Sequence, residues 1–189
     1  RLFESKYAEN PSVANLFGLA LAYKKINIFI EGLASLDKLL GKYPKNLVIN
    51  TTKVEFLSYF SKFNDALDLA NKFLEISPKN YPLSISKSQI LLNMGQYFES
   101  EEIIRDQLLR KNDSPDLWFM LSETQKTSQN IVGYHQSRAE YFLLLGQDEK
   151  ALNQLEFALQ LTQNNFQVSD RIMTKIIEIK KSLQNSRGL

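Results

Sequence analysis

The chain has 189 residues, with 23 Lys and Arg against 21 Asp and Glu, and a formal net charge of +2. Its basic residues form no long block, which argues against a dedicated nucleic-acid binder, since that needs a basic face. Cysteine is absent, which removes disulfides, thiolate metal sites and cysteine nucleophiles together. The length suffices to bury roughly 70% of the unfolded surface, as one ordinary domain or one repeat array. The longest apolar runs, Leu16 to Tyr23 and Phe142 to Leu145, fall far short of the ~20 residues needed to cross a bilayer. No secretory signal is visible, and a chain that begins at Arg1 is expected to be an excised piece of a longer protein.

In chain order, residues 1–10 read as a short lead-in helix. The unit 11–44 follows, with Gly18 and Leu21 on a first helix and Gly32, Leu36 and Leu39 on a second. Gly18 to Pro44 is read as two residues longer than its counterparts, with the extra residues expected in the turn Lys24-Lys25-Ile26-Asn27. In the unit 45–78, Thr51, Val54, Leu57 and Phe60 recur at helical spacing, as do Ala66, Leu69, Phe73 and Ile76. The unit 79–112 has Ile85, Leu91 and Leu92, a Gly95-Gln96-Tyr97 turn, then Ile103, Ile104, Leu108 and Leu109. Gly95 stands where a helix end wants a left-handed residue.

The unit 113–163 is irregular. Asp116 to Leu121 opens a first helix, but Val132 to Leu145 then reads as another first helix, with Gly146 at its end and Ala151 on its partner. Either one hairpin is irregular or a helix is shared between units. Residues 164–189 are expected to form a capping helix and tail. That helix spans about Val168 to Gln184, with Ile172, Ile176, Ile179 and Leu183 on one side and lysines on the other.

Pro44 and Pro78 stand 34 residues apart, as do Phe63 and Tyr97, and Ala66 and Ser100. Small residues at Gly32, Ala66, Ser100 and Ala151 let paired helices approach closely. On these residues the chain resembles the tetratricopeptide-repeat family over most of its length, for which a 34-residue period is characteristic. The expected fold is all-α, a right-handed solenoid of antiparallel helix pairs with about ten helices. Such arrays make binding surfaces and rarely catalytic pockets.

Catalytic patterns are missing. His135 is the only histidine, so the H-E-x-x-H zinc pattern cannot form, and His135 reads as a partly buried helix residue. No glycine-rich phosphate loop and no G-x-S-x-G elbow occurs. The pair Glu101-Glu102 reads as a solvated helix face. Trp118 is read as core packing, with ligand contact as its alternative. Phe98 follows Tyr97 closely enough that both rings cannot point inward, so it is either an incidental exposed ring or a second contact for a partner.

First helices of such pairs line the concave face. The expected groove therefore comprises Asn15, Leu19 and Tyr23, then Thr51, Glu55 and Tyr59, then Ile85, Gln89 and Asn93, and finally Phe119, Glu123 and Lys126. The candidate protein-binding residues are Asn15, Tyr23, Glu55, Tyr59, Gln89, Asn93, Phe119 and Glu123. The row lacks the Lys and Arg cluster that clamps an acidic C-terminus in co-chaperone adaptors. It suits an extended polypeptide with neutral or basic groups; a merely solvated row, with the partner docking elsewhere, is the alternative.

The segment Gly133 to Gly146 contains His135, Arg138, Ala139, Glu140 and Tyr141; Ala151, Gln154-Leu155-Glu156, Ala158-Leu159 and Arg171-Ile172 follow. Here the chain resembles the carboxyl end of BepA-type bacterial zinc metallopeptidases. The resemblance implies the C-terminal repeat domain of a periplasmic protease-chaperone of Gram-negative bacteria. It implies docking of outer-membrane β-barrel proteins or their assembly machinery, with zinc held only in a peptidase domain outside this chain. By that reading the chain itself is no enzyme and carries no cofactor. Its partner is protein or peptide, with no nucleic acid and no transmembrane segment. A generic scaffold or adaptor subunit of a bacterial envelope assembly is the alternative.

Overall fold

The computed structural model describes residues 2–162 and 164–187, the side chains of 186 and 187 excepted. Among the described residues there are eleven helices, one more than expected, and no strand. The chain divides into two compact units, residues 1–95 and 96–189. The first unit contains α1 (Leu2–Glu9), α2 (Val13–Lys25), α3 (Phe29–Lys42), α4 (Leu47–Tyr59), α5 (Phe63–Ile76) and α6 (Tyr81–Asn93). The second contains α7 (Tyr97–Arg110), α8 (Pro115–Thr127), α9 (Ile131–Leu144), α10 (Asp148–Leu161) and α11 (Phe166–Arg187).

The repeat is stricter than the sequence reading allowed. First helices begin at Val13, Leu47, Tyr81 and Pro115, and second helices at Phe29, Phe63, Tyr97 and Ile131, each 34 residues after its predecessor. The first unit of the array therefore has no two-residue excess in its turn. Ser12, Asn46, Asn80 and Ser114 are the N-caps of the four first helices. The side chains of Ser12, Asn46 and Asn80 accept hydrogen bonds from the backbone N–H three residues on, at 3.0–3.1 Å. This satisfies one of the otherwise orphaned donors of the first turn.

Each first helix ends on a left-handed residue: Asn27 (φ 59°), Ser61 (φ 58°), Gly95 (φ 78°) and Gln129 (φ 62°). Around three of these the next N–H closes back five residues, from Ile28 to the Tyr23 carbonyl, Lys62 to Leu57 and Asn130 to Gln125, at 2.8–2.9 Å. That closure absorbs the free carbonyls of the helix end and reverses the chain within three residues. Only Gly95 uses glycine, which is why the recurrence is hidden in the residue types.

In the first unit, Phe56 is fully buried and packs with Phe29 and Phe60 at ring distances of 4.9–5.8 Å. Val54, Leu57, Ala66, Ala70, Phe73, Leu83 and Ile90 form a second buried cluster under α4, α5 and α6. In the second unit α9 begins where a second helix should, yet it packs on both α8 and α10. A left-handed Gly146 (φ 68°) and the closure of Gln147 N–H on the Phe142 carbonyl then repeat the turn after only half a period. Of the two readings of this region, the shared helix is the one observed. Its small residue is Gly133, one place before the column of Gly32, Ala66 and Ser100.

α11 buries Ile172, Ile176 and Ile179 against α10. Its outer side is not purely lysine, because Met173 and Ile177 are also exposed there.

Two glycines of α3 separate packing from propensity. A Cβ on Gly32 would lie 2.5 Å from Phe56 Cζ, whereas one on Gly41 would meet nothing within 4 Å. Gly41→Ala should stabilise the protein by about 0.5 kcal/mol through helix propensity. Gly32→Ala should destabilise it by about 1–2 kcal/mol, because overpacking outweighs the same gain. Urea unfolding followed by circular dichroism tests both; equal shifts would refute the close approach at Gly32.

Candidate protein-binding surface

The first helices bury the stripe that faces their second helices and leave the opposite stripe in water. In the first unit, Glu55 and Tyr59 on α4 and Gln89 and Asn93 on α6 are exposed, and the two helices pack on each other. Glu55 and Tyr59 stand one turn apart on α4, and Gln89 and Asn93 hold the same register on α6, 34 residues on. Gln89 Nε2 donates to Asn93 Oδ1 at 3.3 Å. Tyr59 is 51% exposed yet held: its hydroxyl donates to Asn27 Oδ1 at 2.8 Å, and its ring stands edge-on to Phe60 at 5.1 Å. Lys24 Nζ lies 5.3 Å from the ring centroid. A ring fixed in this way loses little further rotamer freedom when a partner covers it.

Asn15 and Tyr23 stand apart from that row. The Asn15 side-chain amide donates to the carbonyls of Asn10 (2.8 Å) and Lys6 (3.3 Å). The Tyr23 hydroxyl donates to Glu4 Oε1 at 2.9 Å. Burial pushes the Tyr23 phenol up, and the Glu4 carboxylate adds to the shift, so the phenol stays protonated as a donor. Both side chains thus fasten α1 to α2. The 34-residue period puts Leu21 and Lys25, not Asn15 and Tyr23, in register with Glu55 and Tyr59. The N-cap column Ser12, Asn46, Asn80 was the signal that would have set this phase. Leu19 and Thr51 from the expected groove are buried.

In the second unit, Phe119 and Glu123 lie on α8 in that register, with Thr127 rather than Lys126 as the third member. Both converge on Arg138 of α9, a residue of the BepA-type resemblance for which the sequence suggests pairing with Glu140. The Arg138 guanidinium carbon lies 4.8, 5.1 and 5.4 Å from the ring centroids of Phe119, Tyr141 and Phe142. Its Nη1 is 3.9 Å from Glu123 Oε1 and is buried without a hydrogen-bond acceptor. Arg138 does not pair with Glu140, whose carboxylate binds Lys175 Nζ at 3.1 Å.

Other singled-out residues fall as follows. Phe98 is the second residue of α7 and is 73% exposed. Trp118 is half-buried rather than part of the buried core, and its Nε1 donates to the Asn112 carbonyl at 2.8 Å. Glu101 is not simply solvated: it accepts from Arg105 Nε at 2.9 Å and from the Gln125 amide at 3.1 Å. His135 is half-buried, with Nδ1 2.9 Å from Gln154 Oε1 and its ring against Tyr134 and Phe157. Among the described residues, no group of His, Cys, Asp and Glu is placed to hold a metal ion, and no helix is long and apolar enough to cross a membrane.

The three-ring setting of Arg138 makes a prediction about its replacements. Arg138→Ala should cost about 2 kcal/mol through lost stacking and stem packing. Arg138→Met should recover most of that loss, because an apolar chain of similar length fills the space and leaves no buried cation. Trp118 fluorescence during urea unfolding reports on this unit; a Met variant as damaged as the Ala variant would show that the charge is essential.

No protein-family model matches the chain. Over 120 residues it is 26% identical to the mouse (Mus musculus) interferon-induced protein with tetratricopeptide repeats 3. That match covers 64% of this chain but only 26% of the mouse protein's length. Among solved structures, PilW, described as a widely conserved type IV pilus biogenesis factor, superposes with a TM-score of 0.66 at 17% identity, over 92% of this chain and 87% of that one. MamA from Desulfovibrio magneticus RS-1 gives 0.62 at 12% identity, over 90% and 96%. A thermophilic TPR protein of Thermus thermophilus gives 0.52 at 19% identity, over 93% and 88%. At these identities the likeness concerns the fold, and it agrees with the helix-pair period: the chain carries the all-α fold of tetratricopeptide-repeat proteins.

Proposed function

We propose that this chain is a protein-docking module that receives an extended segment of its partner along the first helices. The observation that carries this reading is the row Glu55, Tyr59, Gln89 and Asn93, polar and aromatic groups exposed on two adjacent helices with Tyr59 already immobilised. Amide and carboxylate groups at this spacing suit a backbone with neutral or basic side chains, and the fixed ring offers an apolar anchor. Phe98 is a second contact in this reading. The BepA-type residues from His135 to Tyr141 extend it. The module belongs to a periplasmic protease-chaperone, its partners are outer-membrane β-barrel proteins or their assembly machinery, and zinc and peptide hydrolysis belong to another domain.

A second reading, a scaffold or adaptor in a bacterial envelope assembly, is favoured by the fold likeness to the pilus biogenesis factor PilW. The two separate on what the whole protein carries and on what it touches. Photo-crosslinkers placed at Glu55, Gln89 and Phe98 in cells should capture β-barrel precursors or the assembly machinery under the first reading, and structural subunits under the second. Tyr59→Ala combined with Asn93→Ala should reduce crosslinking at least about tenfold, as loss of an anchor does, while the helical circular dichroism signal is retained. A folded double variant that crosslinks as well as the parent would remove the row from the docking surface.

A further inference from the structure

The second unit contains a cavity of about 230 Å³ that is distinct from the exposed row. Its walls include Arg105 from α7, Gln125 from α8, Ser137 and Glu140 from α9, and Arg171 and Lys175 from α11. Three of these six are cations and one is a carboxylate. Arg105 is engaged by Glu101 at 2.7 Å, and Lys175 by Glu140 at 3.1 Å. Counting Glu101 as well, one positive charge is left over. The remaining cation is Arg171, which is exposed and has no ion pair among the described residues.

Gln125 is the fixed element. It is 1% exposed, its Nε2 donates to Glu101 Oε1 at 3.1 Å, and its Oε1 accepts from the Ser137 hydroxyl at 2.7 Å. These two bonds set which end of the amide is nitrogen. An amide nitrogen carries two hydrogens, and Glu101 takes one. Gly133 makes the room for this amide, since a Cβ there would lie 2.8 Å from Gln125 Nε2. A buried amide donor and an uncompensated guanidinium in one small cavity call for an acceptor-only, singly negative group. A carboxylate meets that description: it accepts two parallel bonds from an arginine and others from amide N–H groups.

Size narrows the ligand further. The volume equals the liquid share of roughly eight waters, and it is below the ~300 Å³ at which pockets for drug-sized ligands begin. One side chain or chain end fits; a nucleotide or a folded element does not. We propose that this cavity binds a carboxylate of a docked polypeptide, from an Asp or Glu side chain or from a chain terminus, with Arg171 as its charge partner and Gln125 as its fixed donor. The proposal extends the docking reading and rests on it only for the carrier of the carboxylate being a polypeptide.

Three alanine-rich pentapeptides test it: two blocked at both ends, with a central Glu or a central Gln, and one with no acidic side chain and a free C-terminus. Binding is followed by NMR titration, reading the Gln125 side-chain amide and the Arg171 Nε signals. The Glu peptide, the free-terminus peptide, or both should shift these signals, and which of them does so identifies the source of the carboxylate. The Gln peptide should bind about tenfold more weakly, the loss expected for a charge-assisted hydrogen bond. Arg171→Gln should weaken binding by a similar factor, and Glu140→Gln should strengthen it by releasing Lys175. Lys180→Gln should change nothing, because Lys180 pairs with Glu156 away from this cavity. A Gln peptide that binds as tightly as whichever carboxylate peptide shifts the signals, full affinity in folded Arg171→Gln, or no shift with either carboxylate peptide at tens of millimolar would overturn the proposal. Crosslinking at the Glu55 row reports separately on docking, so either result can fail without the other.

Discussion

Every assignment of an exposed side chain in this molecule depends on how its first helices end. A single left-handed residue, two places before each second helix, closes the helix end and turns the chain back at once. The loop length is then constant, and so is the phase of each helix relative to its neighbours. At 100° per residue, a slip of two places carries a side chain more than half-way round the helix. Asn15 and Tyr23 illustrate the consequence. Placed by a two-residue slip, they belong to a groove; placed by the true period, they pin α1.

Tolerating that conformation at Asn27, Ser61 and Gln129 carries a steric penalty, because a Cβ at positive φ crowds the carbonyl that follows. Three of the four turns accept it without glycine. The offset comes from hydrogen bonds that close each reversal and from the clusters each hairpin buries. Asn27 has a further tie, as its side-chain oxygen accepts the Tyr59 hydroxyl. One turn residue of the α2–α3 hairpin therefore holds the exposed ring of the following hairpin, and repeat geometry is linked directly to the candidate surface.

The two units present different chemistry. In the first, the buried polar side chains Ser35, Asn50, Thr51, Ser84 and Ser88 are all small and uncharged, and they stand among two apolar clusters. In the second, polarity penetrates inward: Arg138 lies among three rings, and buried Ser137 and Gln125 form a chain of hydrogen bonds that ends on half-buried Glu101. The half-period repeat of α9 and α10 places this polarity. By packing on both α8 and α10, α9 directs Ser137 and Glu140 into space shared with α8 and α11. Buried polar groups of this kind are tolerable only when bonded, and most of these are.

The residue pattern by itself was enough for the all-α class, the 34-residue period and the small-residue column at Gly32, Ala66 and Ser100, because helical periodicity and close helix approach are written in residue size and polarity. It was also enough to exclude the H-E-x-x-H pattern at His135, because that pattern needs two histidines. It left open whether the fourth hairpin was irregular or shared a helix, and it missed the turn column, because Asn, Ser and Gln carry no steric mark of a left-handed backbone. Tertiary structure alone decided that Asn15 and Tyr23 hold α1, that Glu101 turns inward to Gln125, that Arg138 stacks on Phe119, Tyr141 and Phe142, and that Arg171 meets a cavity built by four other helices. Most of these contacts join different helices. They depend on helix phase and crossing geometry, which arise from packing and not from the properties of any residue taken alone.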